Sequence, residues 1–477
     1  MKKEIVLPCL WPVTCHTDYV GKNSTFVAIK GNTFDGITYV PLALQKGART
    51  IIAEHTADVS QEILDAIKAA DANLKFVANA RRALAIESAQ AWGNPADKLK
   101  IIAITGTKGK TTTSWLLYHL LHNAGYKTAL LSTVSNKIGN ESFETQLTTQ
   151  QPDYLHAFFH TCVKEKVDYV VMEVAAQALT LNRVDGLSFD GVIFTNFAQA
   201  HGEFYATEAE YADAKKGIVA LAKPGAPLVI NADDVVGSEL LHKYMNAISF
   251  GIEKEHTRIS GTIHSLSAQG ITGVINAAGQ AVNFDCMALI GNFNFYNILA
   301  AYSMASRLGL SHEHIAAGLS TFVGVPGRLE KISLDNGAFC FIDYAHNPLS
   351  FKSVLPLLRS MTDHLIVVAG AGGDRDKAMR PVMAQLMAEH ADRVFLTTDN
   401  PRSENPADII AAMYSGITPD KKQIVECEID REVAIKKAYN VSRTNSIIAL
   451  LGKGPDEYQI YGTVKQPFSE RKIIQSL

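Results

Sequence analysis

Short apolar runs alternate along this chain with stretches whose apolar residues recur at helical spacing, the pattern of α/β domains with parallel sheets. The first such run, Ser24–Lys30 (STFVAIK), is followed by GNTFDG and a periodic helix around Tyr39–Lys46; Arg49–Ala53 reads as the next strand. Trp92–Lys100 (WGNPADKLK) is polar and interrupted by Gly and Pro, which predicts a linker. A buried strand at Ile101–Ile104 then leads through a Gly-rich loop into a helix carrying Trp115, Leu116, Leu117, Leu120 and Leu121. Asn123-Ala124-Gly125 ends that helix, with glycine as the C-terminal stop. Further strands are predicted at Lys127–Ser132, Asp168–Val174, Gly191–Asn196 and Pro227–Asn231. A second Gly/Pro break, Gly324–Arg328, precedes strands at Phe339–Asp343, Leu365–Ala369, Arg393–Thr397 and Ile447–Leu451. The predicted domains are residues 1–98, 99–325 and 326–477, which suits 477 residues at roughly 150 per domain.

Composition narrows the function classes. Lys and Arg number 45 against 48 Asp and Glu, a formal charge of −3, so the basic excess of a general nucleic-acid binder is missing. Apolar residues make up 47% and charged residues 19%, enough for buried cores. No apolar run approaches the ~18–20 residues of a membrane span. Pro8, Pro12 and Asp18 interrupt the apolar start, which therefore reads as a mature N-terminus rather than a signal peptide. The six cysteines are scattered without a CxxC pair, which predicts reduced, mostly buried thiols and a cytoplasmic location.

The strongest local signal is ITGTKGKTTT, Ile104–Thr113, between a strand and a helix. Gly106 and Gly109 let backbone N–H groups close around phosphate oxygens, and the helix N-terminus adds its positive end. Lys110 would reach the β- and γ-phosphates, and the Thr111 hydroxyl would ligate Mg²⁺. Thr107, Lys108 and Thr112 complete the loop. Glu173 ends the strand DYVVMEV, His201 follows the strand GVIFTN, and Lys215-Lys216 lie in a helix. Four loops of the third region each follow a strand: DYAHNP, GAGGDRD, TDNPR and LGKGPDEYQ. Strand C-termini are where α/β domains bind ligands.

Taken in order, FVAIKGNTFDG, TGTKGKTTT, MEVAAQAL, FTNFAQAH, YADAKK, NADD, GNFNFYN, GVPGRLE, DYAHNP, GGDRD, DNPR and GKG resemble the Mur ligases, and among them the MurE type. The resemblance implies a three-domain α/β architecture: an N-terminal UDP-binding-like domain, a central phosphate-loop ATPase and a C-terminal Rossmann-like domain. It implies an ADP-forming amide ligase, in which a carboxylate attacks the γ-phosphate to give an acyl phosphate and an amine displaces the phosphate. The acceptor would be the D-Glu carboxylate of UDP-MurNAc-L-Ala-D-Glu, and the amino acid meso-diaminopimelate.

Carried over by position, Lys110 neutralises the phosphates of ATP, while Thr111, Glu173, His201 and Lys215 hold Mg²⁺ at two sites. Lys215 stands where relatives carry a carbamylated lysine. Asn292, Asn297, Arg328, Asp343 and His346 match positions near the nucleotide. Arg375, Asp399, Asn400, Arg402, Gly452 and Asp456 match the amino-acid site, where a guanidinium suits the extra carboxylate of diaminopimelate. Thr17, Thr148, Thr149, Gln177 and Arg183 fall on the acceptor side. The implied partners are small molecules: a carboxylate acceptor, an amino acid and ATP. Neither nucleic acid nor membrane insertion is expected, and the expected state is a monomer.

The acceptor side also departs from the pattern. DSR is replaced by His16-Thr17-Asp18, TTP by Thr148-Thr149-Gln150, the paired serines of MEVSS by Ala175 and Ala176, and DH by Ala200-His201. Each lost polar partner of a buried anion would cost about 1–3 kcal/mol if nothing replaced it. Two alternatives follow: a paralogue that attaches a diaminopimelate-like amino acid to another carboxylate, or a non-catalytic nucleotide-binding descendant. A simple kinase or phosphate-loop NTPase would leave DNPR and GKG unexplained.

Overall fold

The computed structural model describes residues 4–31, 34–198, 204–253 and 257–477. The chain divides into two compact units: residues 1–261, 275–282 and 296–318 form one, and 262–274, 283–295 and 319–477 the other.

The first unit begins with a parallel four-stranded sheet in the order Trp11–Thr14, Val20–Val27, Thr50–Glu54, Asn73–Val77. Its first and last strands escape the hydrophobic pattern: Trp11–Thr14 sits among prolines, and Asn73–Val77 leaves most side chains exposed or half-buried. Phe26, Val40, Leu44 and Ile51 form the core beneath it. A buried carboxylate helps tie the sheet to the rest of the unit. Asp153, in the first turn of the helix Pro152–Lys164, accepts from Thr14 Oγ1 (2.9 Å) and from the Cys15 N–H (3.0 Å). Burial pushes its pKa up, and these hydrogen bonds oppose the shift.

Eight neighbouring strands of an eleven-stranded sheet run in the order Ile248–Gly251, Leu228–Asn231, Gly191–Phe194, Lys100–Thr105, Tyr169–Glu173, Thr128–Leu131, Asn136–Ile138, Glu141–Phe143. From Ile248–Gly251 to Thr128–Leu131 every pairing is parallel, so these strands are buried on both faces and read as continuous apolar runs. The predicted strands match within one or two residues. The helix Lys110–Asn123 ends as expected, with Gly125 at φ +89°, and buries Leu116, Leu117 and Leu121 completely.

The second unit contains a six-stranded sheet in the order Glu330–Ser333, Phe339–Asp343, Ile447–Leu451, Leu365–Ala369, Arg393–Leu396, Val425–Cys427. All its pairings are parallel except that of the first strand. Parallel strands set every loop that follows a strand at one end of the sheet, which gathers DYAHNP, GAGGDRD, TDNPR and LGKGPDEYQ.

All six cysteines are free, but only Cys162, Cys286 and Cys340 are buried; Cys9 and Cys427 are exposed and Cys15 is half-buried. The expectation of mostly buried thiols therefore holds for half of them. No described helix is long and apolar enough to cross a membrane.

Candidate active site

The phosphate loop leaves Lys100–Thr105, which lies between Gly191–Phe194 and Tyr169–Glu173 in the larger sheet, and turns into the helix at Lys110. Two glycines make the turn possible. Gly106 has φ +149° and Gly109 φ +83°, and a Cβ at either would lie 1.9 Å from Thr195 Oγ1 or 2.3 Å from Asn297 Oδ1. The loop is also held from the neighbouring strand end. Thr195 Oγ1 donates to the Lys108 carbonyl (2.7 Å), and the Lys108 N–H donates to Asn196 Oδ1 (2.9 Å). Thr113 Oγ1 donates to Asn297 Oδ1 (3.2 Å), which sets Asn297 beside the loop.

Glu173, fully buried at its strand's C-terminus, receives donors on both oxygens. Ser132 Oγ (2.6 Å) and the Thr133 N–H (3.0 Å) donate to Oε1; Thr111 Oγ1 (3.1 Å) and Thr133 Oγ1 (3.0 Å) donate to Oε2. Thr111 and Glu173 thus meet directly. Hydroxyl and carboxylate oxygens are the hard donors that Mg²⁺ prefers. Among the described residues no group of three or more His, Cys, Asp or Glu could hold a metal, and His201 lies outside the described residues.

Two lysines meet the Gly106 carbonyl: Lys110 Nζ at 2.8 Å and Lys215 Nζ at 2.8 Å. Lys110 Nζ also donates to the Thr107 carbonyl (3.1 Å). Lys215 is almost fully buried, and its pKa falls from the usual 10.5 to about 6. Desolvation is the main cause and repulsion by Lys110 the second.

On the expected acceptor side, Thr149 Oγ1 bridges Glu173 and Ala175. It donates to the Glu173 carbonyl (3.0 Å) and accepts from the Ala175 N–H (3.0 Å), while Arg183 Nη1 donates to the Thr149 carbonyl (2.9 Å). Thr148 Oγ1 lies 3.1 Å from Thr133 Oγ1. Gln150, in place of the family proline, donates to Thr145 Oγ1 (2.6 Å) and to the Leu147 carbonyl (2.8 Å). Thr17 is half-buried in a short 3-10 turn and Gln177 half-buried in the helix Ala176–Thr180.

In the second unit the loops GAGGDRD, TDNPR and LGKGPDEYQ touch one another. The Asn400 carbonyl accepts from the Gly373 N–H (2.9 Å), and Arg402 Nη1 donates to the Gly373 carbonyl (2.7 Å). Asp399 Oδ2 is buried without a hydrogen-bond partner, and a Cβ on Gly452 would lie 2.5 Å from it. Burial pushes the Asp456 carboxyl up, against the pull of Lys453. Arg375 is exposed. Asp343 accepts from the Leu329 (2.8 Å) and Ala345 (2.9 Å) N–H groups, burial raising its pKa. The Arg328 guanidinium lies 5.0 Å from the Tyr344 ring centre. His346 and Asn292 are exposed.

Ser132, Thr133, Thr195 and Lys453 are site residues that sequence reasoning passed over. The first three stand at or just beyond parallel-strand C-termini, a position that could have marked them. Lys453 stands between the two glycines of GKG, and its burial depends on the fold. Arg431 had no local signal: its role depends on Glu470, 39 residues away.

Known proteins place these features in a family. The family model for the Mur ligase middle domain matches residues 104–305, and that for the Mur ligase, glutamate ligase domain matches 327–454. UDP-N-acetylmuramoyl-L-alanyl-D-glutamate–2,6-diaminopimelate ligase of Parabacteroides distasonis is 35% identical over 96% of this chain and 92% of its own. The protein of the same name from Clostridium botulinum is also 35% identical, over 96% and 93%. A solved structure of a ligase of that name superposes with a TM-score of 0.68 at 25% identity, covering 98% of this chain and 94% of that one. A MurF structure from Acinetobacter baumannii, 18% identical, shares the fold with a TM-score of 0.65, over 98% of this chain and 93% of its own. The chain belongs to the Mur ligase family.

Proposed function

We propose that this chain is an ATP-dependent, ADP-forming ligase that joins meso-diaminopimelate to the D-Glu carboxylate of UDP-MurNAc-L-Ala-D-Glu. The observation that carries the reading is the 35% identity, over nearly the whole chain, to relatives bearing that activity in their names. The phosphate loop, with Thr111 against Glu173, supports it. Regions 1–98, 99–325 and 326–477 would serve acceptor, ATP and amino acid respectively.

Phosphoryl transfer requires positioning and charge neutralisation more than covalent help. Lys110 would exchange its two loop carbonyls for phosphate oxygens. Thr111 and Glu173, with His201, would hold Mg²⁺, which supplies Lewis-acid neutralisation of phosphate charge. The acceptor carboxylate attacks the γ-phosphorus and ADP leaves; the amine of the amino acid then attacks the acyl phosphate, and inorganic phosphate departs. Lys215, with its pKa near 6, is mostly the free amine at neutral pH. That form adds CO₂ to give a carbamate and a proton, so carbamylation is part of the proposal. Arg375, Asn400 and Arg402 would bind amino-acid carboxylates. Because ATP and a UDP-linked substrate are required, the proposed setting is the cytoplasm, and the proposed state a monomer.

Gln150 gives a second reading its footing. Its Nε2 donates within its own loop, and Ala175 and Ala176 bring no hydroxyls, so several acceptor-side positions differ together from the family pattern. A paralogue using another carboxylate would show such changes. Purified protein, ATP and Mg²⁺ should release ADP only when both UDP-MurNAc-L-Ala-D-Glu and meso-diaminopimelate are present, and Lys110→Ala should abolish the release. Absence of product from that pair would refute the assignment; a panel of carboxylates would then identify the paralogue's acceptor.

A further inference from the structure

Lys453 follows the strand Ile447–Leu451, between two glycines with left-handed backbone, Gly452 (φ +113°) and Gly454 (φ +53°). It is completely buried, which is costly for an ammonium group. Its Nζ donates to Asn400 Oδ1 at 3.0 Å, and the Ile460 N–H donates to the same atom, also at 3.0 Å. An amide nitrogen cannot accept a hydrogen bond, so two donors converging on one atom identify that atom as the oxygen. The Asn400 Nδ2 is left with no protein hydrogen bond among the described residues and is the end of the amide available to a ligand. A flipped amide would face two donors with two donors and would offer its oxygen instead, which favours an ammonium group over a carboxylate.

We propose that Lys453 is a positioning residue for amino-acid recognition: by donating to Asn400 Oδ1 it fixes the amide so that Nδ2 is offered to a carboxylate oxygen of the amino-acid substrate. This rests on the reading above that Asn400 lies in the amino-acid site. The Ile460 N–H belongs to the backbone and reinforces the same orientation. Lys453 supplies the charged half of the clamp, and the carboxylates of Asp399 and Asp456 favour its ammonium form against the cost of burial.

Initial-rate assays of the full chain would measure KM for meso-diaminopimelate, KM for ATP and kcat in Lys453→Met, Lys453→Gln and Asn400→Asp. Lys453→Met should raise KM for the amino acid about 10- to 100-fold, the worth of one hydrogen bond to a charged group, with KM for ATP within about twofold of the parent. Lys453→Gln, which retains a donor, should recover most of the loss. Asn400→Asp, which keeps an oxygen for Lys453 but turns Nδ2 into an oxygen, should be at least as impaired as Lys453→Met. An unchanged KM in Lys453→Met beside an impaired Asn400→Asp would overturn the positioning role while leaving the amino-acid site in place. Unchanged values in both would overturn the site assignment and the proposal with it. A parallel loss in kcat and in KM for both substrates would assign Lys453 a structural role only and so overturn the proposal. Should Lys453→Met not fold, Lys453→Gln near the parent with Asn400→Asp impaired supports the proposal, and equal impairment of the two overturns it.

Discussion

Lys215 makes the apo protein's stability depend on pH in a way that one substitution removes. Two contacts favour its ammonium form: the Gly106 carbonyl at 2.8 Å and the Tyr211 ring, whose centre lies 4.5 Å away. A cation–π contact is worth about 0.5–2 kcal/mol. Burial and the nearby Lys110 oppose it and win, holding the pKa near 6 against the usual 10.5. Between those values the unfolded chain binds a proton at this position that the folded chain does not, so folding stability rises with pH. The full contribution is present above about 10.5 and is lost as the pH falls to about 6. The range pH 7 to 9 lies inside that interval, and each pH unit there is worth about 1.4 kcal/mol. In CO₂-free buffer without ligands, wild type should therefore gain about 3 kcal/mol more than Lys215→Met between pH 7 and pH 9. Methionine fills similar space and does not titrate. Urea unfolding at the two pH values, followed by tryptophan fluorescence and circular dichroism, measures the difference. Parallel changes in the two proteins would refute the depressed pKa, and with it the physical argument for a free amine at this site.

Two further substitutions test how the two sites are held. Gly109→Ala forces a Cβ into left-handed backbone and onto Asn297 Oδ1, 2.3 Å away, so it should cost about 1–3 kcal/mol of stability and abolish ATP-dependent turnover; full activity in that variant would refute the tight loop. Arg431, almost fully buried, donates from Nε to Glu470 Oε1 (2.9 Å) and from Nη1 and Nη2 to the carbonyls of Thr398 (3.2 Å) and Leu451 (2.8 Å). Arg431→Met should cost about 3–5 kcal/mol by leaving Glu470 buried and unpaired, and Arg431→Met with Glu470→Leu should regain part of it; a loss under about 1 kcal/mol in the single variant would refute the argument. Melting temperatures of the two proteins decide the point.

The buried parallel strands were legible because their pattern is local: Phe339–Asp343, Leu365–Ala369 and Ile447–Leu451 appear in the structure with the predicted bounds. The phosphate loop was legible for the same reason, since glycines, lysine and threonine act within ten residues of one another. Trp11–Thr14 and Asn73–Val77 were not, because prolines and exposed side chains broke the apolar alternation on which strand prediction depends. The mostly buried cysteines were an average expectation, and Cys9 and Cys427 show that thiol burial is set by where a residue falls in the fold.

By itself the sequence determined the α/β class, the order of the strands along the chain and the chemistry of the phosphate loop, all of which depend on residues close together in the chain. The tertiary structure alone decided which partners those residues meet. Glu173 could be read as a strand-end carboxylate, but only folding brings it Ser132 and Thr133 from 41 and 40 residues away and Thr111 from 62. Lys215 could be read as a solvated helix lysine until the fold buried it against Gly106, 109 residues distant, and lowered its pKa. Hydrophobic periodicity records how a segment meets solvent; hydrogen bonds and electrostatic shifts depend on distances between segments, which exist only once the chain has closed on itself.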